Sequence, residues 1–185
     1  MLVYVVDGDG RMYLIHEIYR TQQSINWWVT RGQQIQQAYR PSSFECDPSE
    51  PGFISELRQA GLPAIAGFNG IALGIQAVQD RLQVAGDGRP RLIVYDGALS
   101  EVDPLIAPGK PRWSLEERPR YVWATGTNGR PTKEEPVDDN NHGMDAERYA
   151  VCAVDHIGKP AQGQPAAAAP RPVVDQARDR YRRYS

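Results

Sequence analysis

Apolar and polar positions recur along this chain with two different periods, and the switches between them mark its elements. Leu2 to Val6 is an unbroken apolar, mostly β-branched run, the pattern of a buried strand. Asp7-Gly8-Asp9-Gly10 is a turn signal. Met12 to Tyr19 then resumes as a strand, with Met12, Leu14 and His16 on one face and Tyr13, Ile15 and Glu17 on the other. Strand, Asp-Gly turn and strand predict a hairpin. Ser24 stands as the N-cap of a helix to about Arg40, with Ile25, Trp28, Ile35 and Tyr39 as its apolar side and a glutamine-rich opposite face.

Shorter elements follow. Phe44 to Asp47 predicts a short strand, and Pro51 opens a helix to about Ala60, with Ile54 and Leu57 buried and Gly61 as its C-cap. Ala64 to Ala66 is a further strand. Gly70 to Val84 is a helix carrying Ile71, Ile75, Val78 and Leu82 at helical spacing, and Leu92 to Tyr95 is a strand. Ala98 to Ile106 predicts a short helix before a proline-broken stretch. Tyr121 to Thr125 and Lys133 to Val137 could pair as a ribbon, and the helix that holds Asp145 runs to about Ile157. Strands alternating with helices predict an α/β fold with a parallel or mixed sheet.

Composition changes this picture little. A hydrophobic content of 41% and a charged content of 24% over 185 residues describe a globular chain with a real core. No apolar run is long enough for a membrane span, and no leader is visible. Cys46 and Cys152 form no CxxC and read as reduced thiols. Residues 1–157 predict one domain. Residues 158–185, rich first in alanine and proline and then in arginine, predict a disordered basic tail. That tail holds six basic residues against two acids, a net +4, which leaves −6 on the body of a chain whose total is −2. An acidic body is a poor duplex binder by itself, because duplex affinity comes mostly from phosphate neutralisation.

Candidate chemistry gathers in two places. Asp138-Asp139-Asn140-Asn141-His142-Gly143-Met144-Asp145 is an acidic, amide-rich loop leading into a helix, and Asp47 closes the strand at 44–47. Two carboxylates on two elements could share one hard divalent cation, Mg²⁺ or Mn²⁺. Each also has a plainer role: Asp47 in the turn before the next helix, Asp145 as a first-turn acid satisfied by the helix dipole. Asp139 and Asp138 could add metal contacts or be solvated loop acids. His142 could orient a phosphate or cap the helix, and Lys133 could touch a DNA backbone or nothing specific. Asp7 and Asp9 read as turn residues, Glu17 as a strand-surface acid and Trp27-Trp28 as core.

Four segments in order resemble the C-terminal nuclease domain of the bacteriophage terminase large subunit: Asp9-Gly10-Arg11-Met12-Tyr13-Leu14-Ile15-His16-Glu17-Ile18-Tyr19, then Asp47-Pro48-Ser49-Glu50-Pro51, then Gly67-Phe68-Asn69 leading to Gly74-Ile75, and Asn141-His142-Gly143-Met144-Asp145-Ala146-Glu147-Arg148-Tyr149. The resemblance implies a ribonuclease H-like mixed sheet flanked by helices, and a two-metal endodeoxyribonuclease that cuts phage DNA during packaging. Asp47 then matches the fourth-strand acid and Asp145 the late-helix acid. The family's first acid lies on a strand ahead of the hairpin, in the middle of the sheet. That strand is missing here, and no phosphate-binding Gly-Lys-Ser/Thr loop occurs. The expectation is therefore a truncated domain, weakly active or inactive alone. The implied partners are double-stranded DNA, the terminase ATPase domain, the portal protein and the small terminase subunit, in the cytoplasm of a bacterial host. The alternative is a non-catalytic docking module of a packaging complex.

Overall fold

The computed structural model describes residues 1–125, 131–136 and 141–158, with side chains for 1–122 and 141–158. The hairpin forms where the pattern placed it: β1 (Leu2–Val6) pairs antiparallel with β2 (Met12–Tyr19). Asp7 builds the turn. Its carboxylate accepts the Asp9 and Arg11 amides at 2.9 Å each and the Tyr13 hydroxyl at 2.8 Å. Gly10, at φ 78°, supplies the left-handed step that closes it. These bonds, the Arg11 amide first, hold the Asp7 carboxyl below its ordinary range. Asp9 pairs with Arg11 at 2.9 Å, so both acids of the Asp-Gly-Asp-Gly segment serve the turn.

β2 is the centre of its sheet. It runs parallel to β5 (Leu92–Val94) along its first half and to β6 (Leu99–Val102) along its second. The helix expected over 98–106 is therefore a strand followed by a turn. Non-local pairing decides this. The Asp103 carboxylate accepts the Thr21 amide, the Thr21 hydroxyl and the Leu105 amide at 2.7, 2.5 and 2.9 Å. That fixes the end of β6 beside the end of β2, and Pro104 cannot extend a ladder. A register shift between Glu17 and Ile18 breaks the alternation of β2. Met12, Leu14, Glu17 and Ile18 are buried and His16 is not. Glu17, expected on the strand surface, is fully buried.

β3 (Phe44–Cys46) and β4 (Ala64–Ala66) form a separate parallel pair joined through α2 (Pro51–Gln59). α1 (Ile25–Tyr39) begins where expected: the Ser24 hydroxyl accepts the Trp27 amide at 3.3 Å. Its buried face is Gly32 and Ile35. Tyr39, expected on that face, is exposed and lies against the His16 ring at 5.6 Å. Trp27 and Trp28 are only half buried. Their rings meet edge-on at 4.9 Å, and the Arg31 guanidinium lies over Trp27 at 4.8 Å.

α3 (Ile71–Leu82) and α5 (His142–Val154) pack on each other and on the hairpin sheet. The buried face of α3 is Gly74, Ala77 and Arg81, one step round from the expected isoleucine–valine stripe. The missing side chain at Gly74 admits α5. A Cβ there would stand 2.5 Å from the Arg148 Cγ and 3.3 Å from the Cys152 Sγ. Arg81 is buried because it is matched: it grips Asp155 with two nitrogens, at 2.5 and 3.0 Å, and donates to the Gly10 carbonyl at 2.9 Å. A short helix, α4 (Ser114–Glu117), and a 3-10 turn at Arg118–Arg120 precede the antiparallel ribbon of β7 (Trp123–Thr125) and β8 (Pro131–Pro136).

The result is a mixed α/β architecture in which helices flank parallel and antiparallel strands. Among the described residues it has two cores. One joins Met12, Ala77, Leu92 and Val151 between the hairpin sheet, α3 and α5. The other joins Ile54, Leu57, Leu62 and Ala64 around β4 and α2. Both cysteines are free. No helix among the described residues is long and apolar enough to cross a membrane.

Candidate functional site

β3 ends at Cys46, so Asp47 stands just past the strand, where the chain turns toward α2. It is exposed. Its Oδ1 accepts the Ser49 amide at 2.9 Å and the Ser49 hydroxyl at 2.8 Å, an Asx-type turn that delivers Pro51 to the first turn of the helix. Asp145 lies in the first turn of α5 and is partly buried. Its Oδ1 accepts the Tyr121 hydroxyl and pairs with Arg148, both at 3.1 Å. The first-turn acid is thus satisfied by donors as well as by the helix end. In both residues these bonds fall on Oδ1.

Tyr149 connects the two acids. Burial pushes its phenol up, the Asp47 charge adds to that shift, and Asp145 adds again against the opposing Arg148. The charges of both carboxylates thus bear on the one Tyr149 phenol. Gly67 lets Tyr149 reach that place: a Cβ on Gly67 would sit 2.7 Å from the ring. A cavity of about 570 Å³ opens beside Asp47, with Glu45, Glu50 and His142 also among its polar lining. His142 is exposed at the first residue of α5. It does not cap the helix. The Glu117 carboxylate does, accepting the Met144 amide at 2.9 Å and the Gly143 amide.

Three buried carboxylates lie behind this surface, and the sequence reading missed their role. Glu17 accepts the Ser114 amide at 2.8 Å and the Ser114 hydroxyl at 2.9 Å. Glu117 also takes the Tyr19 hydroxyl at 2.6 Å. Glu147 accepts Arg118 on both oxygens, at 3.0 and 2.9 Å, and Tyr4 at 3.1 Å. Burial pushes the carboxyl groups of Glu17 and Glu117 up, and their hydrogen bonds pull against it. Each acid is matched by named donors, so they tie β1, β2, α4 and α5 together and are not vacant ligands. The one sequence signal was the glutamate in an apolar strand at position 17.

Asp139 and Asp138 lie outside the described residues, as does the tail from Lys159 onward. Lys133 falls within β8, and its side chain too is outside the description. Among the described residues no three His, Cys, Asp or Glu side chains form a group that could surround a metal ion. Comparison of the chain with protein-family models, with curated proteins and with solved structures finds no match.

Proposed function

We propose that this chain is a ribonuclease H-like, metal-dependent DNA endonuclease domain of the phage-terminase kind, weak or inactive by itself. The observation that carries the reading is that Asp47, just past β3, and Asp145, in the first turn of α5, both bear on the Tyr149 phenol, while Asp47 and His142 line one cavity. These donors suit one hard cation. They do not suit two cations about 3.5–4 Å apart, as phosphodiester cleavage of this type uses, because Arg148 already neutralises part of the Asp145 charge. When bound, such an ion would supply a hydroxide nucleophile and offset phosphate charge. The protein's own part is narrower. Asp47 and Asp145 would hold the ion, Arg148 and Tyr121 would fix the Asp145 carboxylate in one orientation, and His142 stands exposed where a phosphate oxygen could be met.

A second reading, a docking module of a packaging complex without catalysis, is favoured by one specific observation. Both acids already have complete structural roles, in the Ser49 turn and in the Arg148 pair. Titration with Mn²⁺ separates the two. The nuclease reading expects a rise in melting temperature that Asp47→Asn and Asp145→Asn each remove, with plasmid nicking at most slow. If melting does not move, or moves equally in both variants, the docking reading stands and the nuclease reading falls.

A further inference from the structure

We infer that Asn69-Gly70, in the link between β4 and α3, is a self-modifying site: the asparagine deamidates through a succinimide, and the isoaspartate that forms there unseats Arg148.

The chemistry needs an asparagine whose side-chain carbonyl the next backbone nitrogen can reach. A side chain on the following residue hinders that approach, and glycine removes the hindrance. Among the described residues Asn69 is the only asparagine followed by glycine: Asn26 lies inside α1, and Asn141 precedes His142. Residues 67–70 belong to no strand or helix, and Asn69 is exposed. No hydrogen bond holds its side chain among the described residues. The Gly70 amide is equally unengaged there, because Gly70 is the N-cap of α3 and enters the helix through its carbonyl, which accepts the Gly74 amide at 2.9 Å. Nucleophile and electrophile are adjacent, and neither is tied down. Asp7-Gly8 is the contrast, since three donors hold that carboxylate in its turn.

The reaction needs no reagent but water. The Gly70 nitrogen gives up its proton and bonds to the side-chain carbonyl carbon of Asn69. The bond from that carbon to the side-chain nitrogen breaks, and the nitrogen leaves with the proton as ammonia. Water then opens the succinimide. Opening at the side-chain carbonyl yields aspartate. Opening at the main-chain carbonyl yields isoaspartate, and the backbone then runs through the side-chain methylene and gains that carbon.

The place of this link makes the added carbon matter. Arg148 is held from both of its ends. On one side the Phe68 carbonyl accepts the Arg148 Nη1 at 3.2 Å. On the other, Gly74 lies so close to the Arg148 stem that a Cβ would stand 2.5 Å from its Cγ. Gly67 is just as tight against Tyr149, with 2.7 Å from such a Cβ to the ring. Contacts this close leave no slack, so a longer backbone between Phe68 and Gly74 cannot keep both ends on Arg148. The 3.1 Å pair of Arg148 with Asp145 depends on that seat.

The test involves neither metal nor DNA. The 185-residue chain is aged in mildly alkaline buffer, which speeds the reaction by deprotonating the backbone amide, beside the capped peptide Gly-Phe-Asn-Gly-Ile. Peptide mapping reads isoaspartate at position 69. We expect the folded chain to convert within an order of magnitude of the peptide's rate. The isoaspartate form, resolved chromatographically, should melt lower and exchange its amides faster around Arg148, whereas Asn69→Gln aged in the same way should change in neither respect. Absence of isoaspartate at position 69 while the peptide converts overturns the inference. So does conversion that occurs only after the chain is unfolded in urea, or that is confined to Asn128-Gly129, the other Asn-Gly of the sequence. An isoaspartate form with the melting and exchange of Asn69→Gln would show that Arg148 does not depend on the link, and overturns it as well.

Discussion

Gly74 shows how much one position decides. With no side chain, it lets the Arg148 stem cross α3 on its way to Asp145 and the Phe68 carbonyl. Gly74→Ala should destabilise the chain by roughly 1–3 kcal/mol, the usual cost of overpacking, despite alanine's better helix propensity. Urea unfolding measures it, and a neutral result would mean that Arg148 simply moves aside. Glu117 is the opposite case, a side chain whose removal strands its partners. Glu117→Ala leaves the Tyr19 hydroxyl and the first amides of α5 without their acceptor. A loss of about 2–3 kcal/mol is expected, combining a lost cap with unsatisfied buried donors. Unfolding midpoints unchanged within error would show that water substitutes fully.

At the scale of elements, α5 is the member to which the others are referred. Its start is held by Glu117, and its inner face buries Met144, Glu147, Arg148, Val151 and Cys152 against α3, α4 and the hairpin. Its end is anchored through Asp155 to Arg81 of α3. Arg81→Met should cost roughly 1–3 kcal/mol, because the hydrogen bonds lost are charge-assisted while Asp155 is partly solvated. Amide exchange should speed up most at the C-terminal turn of α5 and at the hairpin turn, where the Gly10 carbonyl loses its donor. Uniform acceleration over the whole chain would instead mean that Arg81 acts through global stability alone.

For the whole molecule, the buried acids give stability a definite pH dependence. The carboxyl groups of Glu17 and Glu117 are raised from 4.5 by burial, so the folded state holds their protons more tightly than the unfolded chain does. Their contribution is complete below pH 4.5 and is lost as pH rises through the folded values. His16 works the other way: burial lowers its imidazole from 6.5, so its share grows as pH rises. A comparison of variants isolates the acids. As pH rises above 4.5, the fall in unfolding free energy should be smaller in Glu117→Gln than in the parent chain. Parallel curves for the two proteins would show that Glu117 titrates as it does when unfolded.

Local chemistry wrote much of this fold legibly. The Asp7–Gly10 turn, the Ser24 cap and the proline start of α2 all rest on neighbours in sequence, and all lie where the residue pattern places them. Acids in turns and first helical turns are common, so Asp47 and Asp145 stood out only as a pair on two elements and through the terminase resemblance, and their hydrogen-bond partners were not legible. Tertiary contact settled the remainder. The segment at Leu99–Val102 became a strand because β2 had an edge to fill, and the buried face of α3 rotated because α5 needed the space above Gly74. Glu17 went inside because Ser114, nearly a hundred positions away, brings it an amide and a hydroxyl. Periodicity reports which side of an element is apolar. It carries no information about which distant donor will meet a buried charge, and that match, made only when the chain closes on itself, determines where the polar residues of this protein lie.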